Sequence, residues 1–120
     1  MELGRHIILE LYECNRTKLN DIDFLRKALQ SAAKAMGATV LSANFHPFAP
    51  VGISGVVLIK ESHLTIHTWP EHDYAAIDIF TCGEMDMQLG VDYLIKHLDA
   101  SNSSCKVLKR GENIRGLKLL

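Results

Sequence analysis

The chain has no surplus of either charge. Thirteen Lys and Arg stand against fourteen Asp and Glu over 120 residues, a formal net charge of -1. Without a cationic excess there is no electrostatic basis for a nucleic-acid partner or for an anionic membrane surface. A long apolar run is also missing: the longest, around Gly55 to Ile59, falls far short of the about 20 residues that a membrane helix needs. The start, Met1-Glu2-Leu3-Gly4-Arg5-His6, lacks the basic-then-apolar layout of a secretory leader. Cysteine is scarce and odd in number. Cys14, Cys82 and Cys105 show no metal-type spacing and cannot all pair, which points to reduced thiols and a cytoplasmic location. No repeat, low-complexity tract or internal linker interrupts the chain, so a single domain over residues 1–120 is expected. A chain of this length buries roughly two-thirds of its unfolded surface, enough for a core without staples.

What is present is a regular alternation of patterns. Residues 5–13 are rich in apolar and β-branched side chains and predict a strand. Ile22, Leu25, Leu29, Ala32, Ala33 and Met36 fall at steps of three and four, the stripe of an amphipathic helix. Asn20 or Asp21 can cap its start, and Gly37 suits the left-handed residue after its end. A strand over 39–45 follows, then a rigid loop over 46–52 in which Pro47 and Pro50 fix the backbone. Three strands joined by short connectors, 54–60, 63–69 and 74–82, predict antiparallel neighbours. Met87, Val91, Leu94 and Leu98 mark a second helix, interrupted by Gly90 at a cost of about 1 kcal/mol. A turn over 101–104, a short strand over 105–109 and a loose basic tail from Arg110, carrying Arg115 and Lys118, complete the chain. This order predicts an α+β fold, an antiparallel sheet with helices on one face.

Polar groups crowd one junction, Lys60-Glu61-Ser62-His63, with His67 five positions beyond the serine. Three chemistries compete for it. Zinc would find suitable ligand types in His46, His63, His67, His72 and Cys82. Yet residues four apart on a strand, such as His63 and His67, sit ~13 Å apart, too far to share one ion, so no metal is expected. A cysteine nucleophile would use Cys82, with His67 to activate it and Asp78 to orient the base; an ordinary small residue near a strand end explains Cys82 equally well. Self-processing is the third: the Ser62 hydroxyl attacks the Glu61 carbonyl, the amide becomes an ester, and elimination across the serine Cα–Cβ bond breaks the chain. That route needs a strained turn, a base such as His67 and an oxyanion donor such as Ser54. A serine in a turn is more often only a turn residue.

The longer motif bears on this choice. Ser54-Gly55-Val56-Val57-Leu58-Ile59, Glu61-Ser62-His63-Leu64-Thr65-Ile66-His67-Thr68-Trp69-Pro70-Glu71 and Tyr74-Ala75-Ala76-Ile77-Asp78-Ile79-Phe80-Thr81-Cys82-Gly83 resemble the prokaryotic S-adenosylmethionine decarboxylase proenzymes. Gly4-Arg5-His6 and Phe45-His46-Pro47-Phe48 are similar too, and the likeness is densest over 44–84. The resemblance implies a two-layer α/β sandwich and a zymogen that cuts itself between Glu61 and Ser62. Residues 1–61 then form one chain, and residues 62–120 a second that begins with a pyruvoyl group made from Ser62. It implies Ser54 and His67 as processing residues, Cys82 as the proton donor, Phe48 as the aromatic that stacks on adenine and Glu71 as the acid that holds the ribose hydroxyls. It further implies a homodimer of processed protomers with sites built from both. The activity implied is conversion of S-adenosylmethionine, bound as a Schiff base, to CO2 and the aminopropyl donor of spermidine and other polyamines.

The roles are chemically coherent. A pyruvoyl ketone is an organic electron sink, a thiol can protonate the former α-carbon, a flat base suits Phe48 and a carboxylate suits a diol. Trp69 is a further candidate contact or a core residue, and Glu10 a candidate for the substrate's positive charge or a solvated edge residue. Relatives with the same processing motif decarboxylate arginine, and that substrate is the alternative. A homologue that only dimerises is the non-enzyme alternative, disfavoured because Ser62, His67 and Cys82 are all intact.

Overall fold

The computed structural model describes residues 2–82 and 84–114. Strand β1 (Gly4–Tyr12) buries Ile7, Leu9 and Leu11 and turns its even-numbered side chains to the other face, the period of two that defines a half-buried strand. One helical turn, α1 (Arg16–Leu19), follows, with the Asn15 side chain accepting from the Lys18 amide as its cap. Four residues carry no periodicity, so the sequence pattern does not announce this element. The expected long helix is α2 (Ile22–Ala35). Asp21 caps it by accepting from the Phe24 amide, and Gly37 beyond its end has φ 88°. Strands β2 (Val40–Pro47), β3 (Ile53–Ile59), β4 (Ser62–Trp69) and β5 (Tyr74–Thr81) come next, with a single 3-10 turn (Pro70–His72) between the last two. Helix α3 (Met87–His97) and strand β6 (Asn102–Arg110) complete the fold.

All strand pairs are antiparallel, in the order β2-β3-β4-β5-β1-β6. Helix α2 lies across β2, β3 and β4 and packs on α3, so both long helices cover one face, as the α+β expectation requires. The core between the layers holds Leu9, Leu29, Val57, Leu64, Ile77 and Leu94, all fully buried. Gly90, which weakens α3 as an isolated helix, earns its place by contact. A Cβ there would lie 2.5 Å from Met36 Sδ, so any larger residue would have to push the buried Met36 side chain aside.

Two strand boundaries differ from expectation by more than one residue. The strand expected to stop at Phe45 continues to Pro47, pairing His46 with Ser54 and Pro47 with Ile53. Proline is tolerated there because β2 is an edge strand. The last strand starts at Asn102, because the ladder from Tyr12–Asn102 to Gly4–Arg110 draws the Ser-rich turn into the sheet. Arg110 closes that strand; Arg115 and Lys118 of the expected loose tail lie outside the described residues.

Among the described residues the second face of the sheet carries no helix. Val56, Leu58, Trp69, Tyr12 and Leu108 all point from it, and Leu58 is 47% exposed and Trp69 41%. Among the described residues no helix is long and apolar enough to cross a membrane.

Candidate functional site

Strands β3 and β4 are joined by two residues, Lys60 and Glu61, with Ile59 facing Ser62 across the ladder. Such tight connections favour glycine or asparagine at positive φ, and this one has neither. Lys60 and Glu61 keep negative φ, and the departure falls on Ser62, at φ 153°. A non-glycine residue in such a region carries strain of about 1–3 kcal/mol. The strain sits on the residue whose amide the serine would rearrange.

The carbonyl next to it is polarised from the neighbouring strand. The Cys82 amide donates to the Glu61 carbonyl oxygen at 2.9 Å, and the Cys82 thiol donates to the same oxygen at 3.1 Å. Two donors at these distances are the geometry that stabilises a developing oxyanion. Register explains the meeting: Ser62 faces Thr81 on β5, which brings Cys82 level with Glu61. The Glu61 carboxylate is held away, accepting from the Thr39 amide at 3.2 Å. Gly83 lies outside the described residues.

Ser54 and His67 form a second group. They face each other across β3 and β4, and the hydroxyl and Nδ1 share a hydrogen bond of 2.7 Å. With Asn44, His46 and Thr65 they line a shallow cleft of about 270 Å³ on the open face. Within one chain the two groups stay apart. His67 lies five positions along β4 from Ser62, about 16 Å at 3.3 Å per residue. The turn does not bring His67 to Ser62, and the oxyanion donors on Glu61 come from Cys82 rather than Ser54.

Phe48 and Glu71 lie near the His67 end. Phe48 is exposed, set edge-on to His46 at 4.8 Å, in a loop closed by its amide donating to the Gly52 carbonyl. Glu71 lines a cleft of about 730 Å³ with Arg16, Asn20, Val51 and Pro70. Trp69 is on the open face, not in the core, with its ring 6.5 Å from His67 and 5.4 Å from Tyr74. Glu10 accepts a hydrogen bond from the Tyr74 hydroxyl. That bond, after burial, pushes the Tyr74 phenol well above its usual range.

The cysteine-nucleophile reading finds no support in this arrangement. Asp78 does not orient His67; it contacts His6 Nε2 at 2.9 Å and accepts from the Thr65 hydroxyl at 3.2 Å. A contributor absent from the sequence reading is Thr68, whose buried hydroxyl accepts from the Ile53 amide at 3.0 Å and donates to the Leu19 carbonyl at 2.8 Å. It locks the strand ends that carry Ser54 and His67 to α1. Nothing in a strand pattern distinguishes such a threonine from any other.

The site thus sets a Glu61–Ser62 bond with positive φ at Ser62 and two Cys82 donors on the Glu61 carbonyl oxygen within a small α+β sandwich. A family model described as S-adenosylmethionine decarboxylase matches residues 5–111, and the chain belongs to that family. It is 54% identical over 110 residues to the S-adenosylmethionine decarboxylase proenzyme of Oceanobacillus iheyensis, covering 91% of this chain and 87% of that one. The proenzyme of the same description from Geobacillus kaustophilus is 51% identical, with 91% and 88% covered. Among solved structures, the adenosylmethionine decarboxylase from Aquifex aeolicus superposes with a TM-score of 0.86 at 35% identity, over 95% of each chain.

Proposed function

We propose that this protein is a self-processing, pyruvoyl-dependent decarboxylase of the cytoplasm that converts S-adenosylmethionine to CO2 and the aminopropyl donor of polyamine synthesis. The observation that carries the processing half is the Glu61 carbonyl oxygen, held by both donors of Cys82 next to a strained Ser62. Family membership and the relatives' shared description support the substrate.

The residues fit a pyruvoyl made from Ser62. Its hydroxyl adds to the Glu61 carbonyl, the Cys82 amide and thiol take up the negative charge, and collapse transfers the acyl group from nitrogen to oxygen. A base then removes the Ser62 α-proton, Glu61 departs as a free carboxylate, and hydrolysis of the dehydrated residue releases ammonia. The pyruvoyl left at position 62 supplies an electron sink for the bond to the substrate's carboxylate. Cutting removes the Glu61 carbonyl from the Cys82 thiol, which is then free to give its proton to the substrate carbon. Phe48 stacks on the adenine, Glu71 accepts from the ribose hydroxyls, and Trp69 and Glu10 flank the same face.

The base is His67, oriented by Ser54, and it comes from a second copy. A separation of about 16 Å rules out His67 of the same chain, while the exposed apolar residues of the open face give a dimer its surface. Each complete site then combines Ser62 and Cys82 of one protomer with Ser54, His67, Phe48 and Glu71 of the other.

Denaturing intact mass of fresh protein, with CO2 release from S-adenosylmethionine and from arginine, tests the proposal. Two fragments meeting at Glu61/Ser62 and CO2 from the nucleoside substrate are expected; a persistent 13.4 kDa chain sinks it. A Ser62→Ala variant should remain one uncut, inactive chain. Cys82→Ala keeps the amide donor and loses the thiol. Cutting should slow about tenfold, less than the 10²–10³ typical of a strong oxyanion donor, while decarboxylation nearly disappears.

A further inference from the structure

Breaking the Glu61–Ser62 bond turns the start of β4 into a chain end, and chain ends fray unless side chains hold them. The first side chain available after position 62 is His63, and this inference rests on the self-processing reading. His63 faces Phe80 across β4 and β5, their rings stacked at 5.7 Å and 15°. Phe80 is itself held from other sides. Gly4 leaves it room, because a Cβ there would lie 3.1 Å from the ring. The His6 ring sits 5.8 Å away, and the Arg110 guanidinium 5.6 Å from the ring centroid. His6 is anchored in turn by Asp78 at 2.9 Å and meets Arg110 at 3.5 Å. One row of side chains therefore ties β4, β5, β1 and β6 together at the end of the sheet that carries the Glu61–Ser62 bond. Phe80 also lies two residues before Cys82, so the element that fixes His63 is the element that carries the thiol.

We propose that Phe80, stacked on His63 and backed by His6 and Arg110, is a positioning residue that keeps the newly made chain terminus at position 62 registered against Cys82 after the bond is broken. Before cutting, the covalent hairpin holds Ser62 in place and the stack adds little. After cutting, the stack replaces that restraint. The role therefore appears only in the processed protein, which separates it from a general contribution to folding.

The test compares cut protein from the parent, Phe80→Leu, Phe80→Tyr and His63→Ala. The first readout is amide hydrogen exchange at His63 and Leu64. The second is the fraction of chains whose keto terminus has become alanine after turnover, the mark of a proton delivered to the wrong carbon. Phe80→Leu should cut itself at close to the parent's rate, yet exchange these amides about tenfold faster, as expected when a strand end opens locally. It should also accumulate several-fold more alanine-ended chain, with kcat falling more than KM rises. Phe80→Tyr restores both readouts, and His63→Ala, which removes the other ring, reproduces the loss even if the leucine variant misfolds. Exchange within twofold of the parent in both loss variants overturns the proposal, as does a tyrosine variant that behaves like leucine. A parent that cuts but releases no CO2 from S-adenosylmethionine overturns the substrate reading alone, and exchange still decides the clamp. A parent that never cuts overturns both.

Discussion

Cys14 and Cys82 show how far setting governs a side chain. Cys82 is exposed, with its thiol donating to the Glu61 carbonyl oxygen. Cys14 is buried, and its thiol is pushed up from 9.0 to about 11, first by burial and then by Asp73 and Asp99. The raised value favours the neutral form in the folded protein. Its contribution to stability is therefore complete below pH 9 and lost as pH rises toward about 11. The unfolding midpoint should fall across that window, and Cys14→Ala should flatten the fall. Tyr74 is shifted upward too, so its own loss begins above pH 10.0, the usual phenol value, and Tyr74→Phe separates the two. Thermal melts at half-unit steps from pH 8 check this; a Cys14→Ala slope equal to the parent's would refute it.

At the scale of elements, the Thr68 hydroxyl joins three segments at one buried point, β3 at Ile53, β4 at its own position and α1 at Leu19. Thr68→Val leaves an amide and a carbonyl without that partner and should cost about 1–3 kcal/mol, read from urea midpoints. Thr68→Ser should recover most of it. Much of this architecture was legible beforehand. The stripe from Ile22 to Met36 has one helical reading, and the short connectors between 54–60, 63–69 and 74–82 predict three antiparallel strands. Even the Ser54–His67 pair was within reach, since a hairpin with Lys60 and Glu61 as its loop puts the residues five back from Ile59 and five on from Ser62 opposite each other. The same counting separates Ser62 from His67. The contact of Cys82 with Glu61 was not legible, because it depends on the β4–β5 register across a connection that includes a 3-10 turn. Thr68 and α1 left no pattern at all, since one bridging hydroxyl and four residues set no period.

For the whole molecule the decisive feature is that the candidate residues are divided between two ends of the sheet. Ser62 and Cys82 sit at one end, Ser54 and His67 at the other, and among the described residues the face connecting them is bare of helices. If a second copy lays its open face on the first, each strained bond meets the other protomer's histidine, and the mixed dimer of two defective chains becomes informative. A His67→Ala chain keeps a competent Ser62 and lacks the base it lends. A Ser62→Ala chain cannot be cut and keeps that base. Each alone should stay uncut or cut very slowly, whereas co-expression with distinct tags should produce cut His67→Ala chains beside intact Ser62→Ala chains. Only one of the two sites in a mixed dimer is complete, and random pairing makes half of all dimers mixed. About half of the His67→Ala chains should therefore be cut if subunits do not exchange, and more if they do. Tag-resolved mass spectrometry reads the outcome directly. Cutting of His67→Ala chains at the same low rate with and without the partner would mean that no histidine crosses between copies, and the composite site would have to be abandoned.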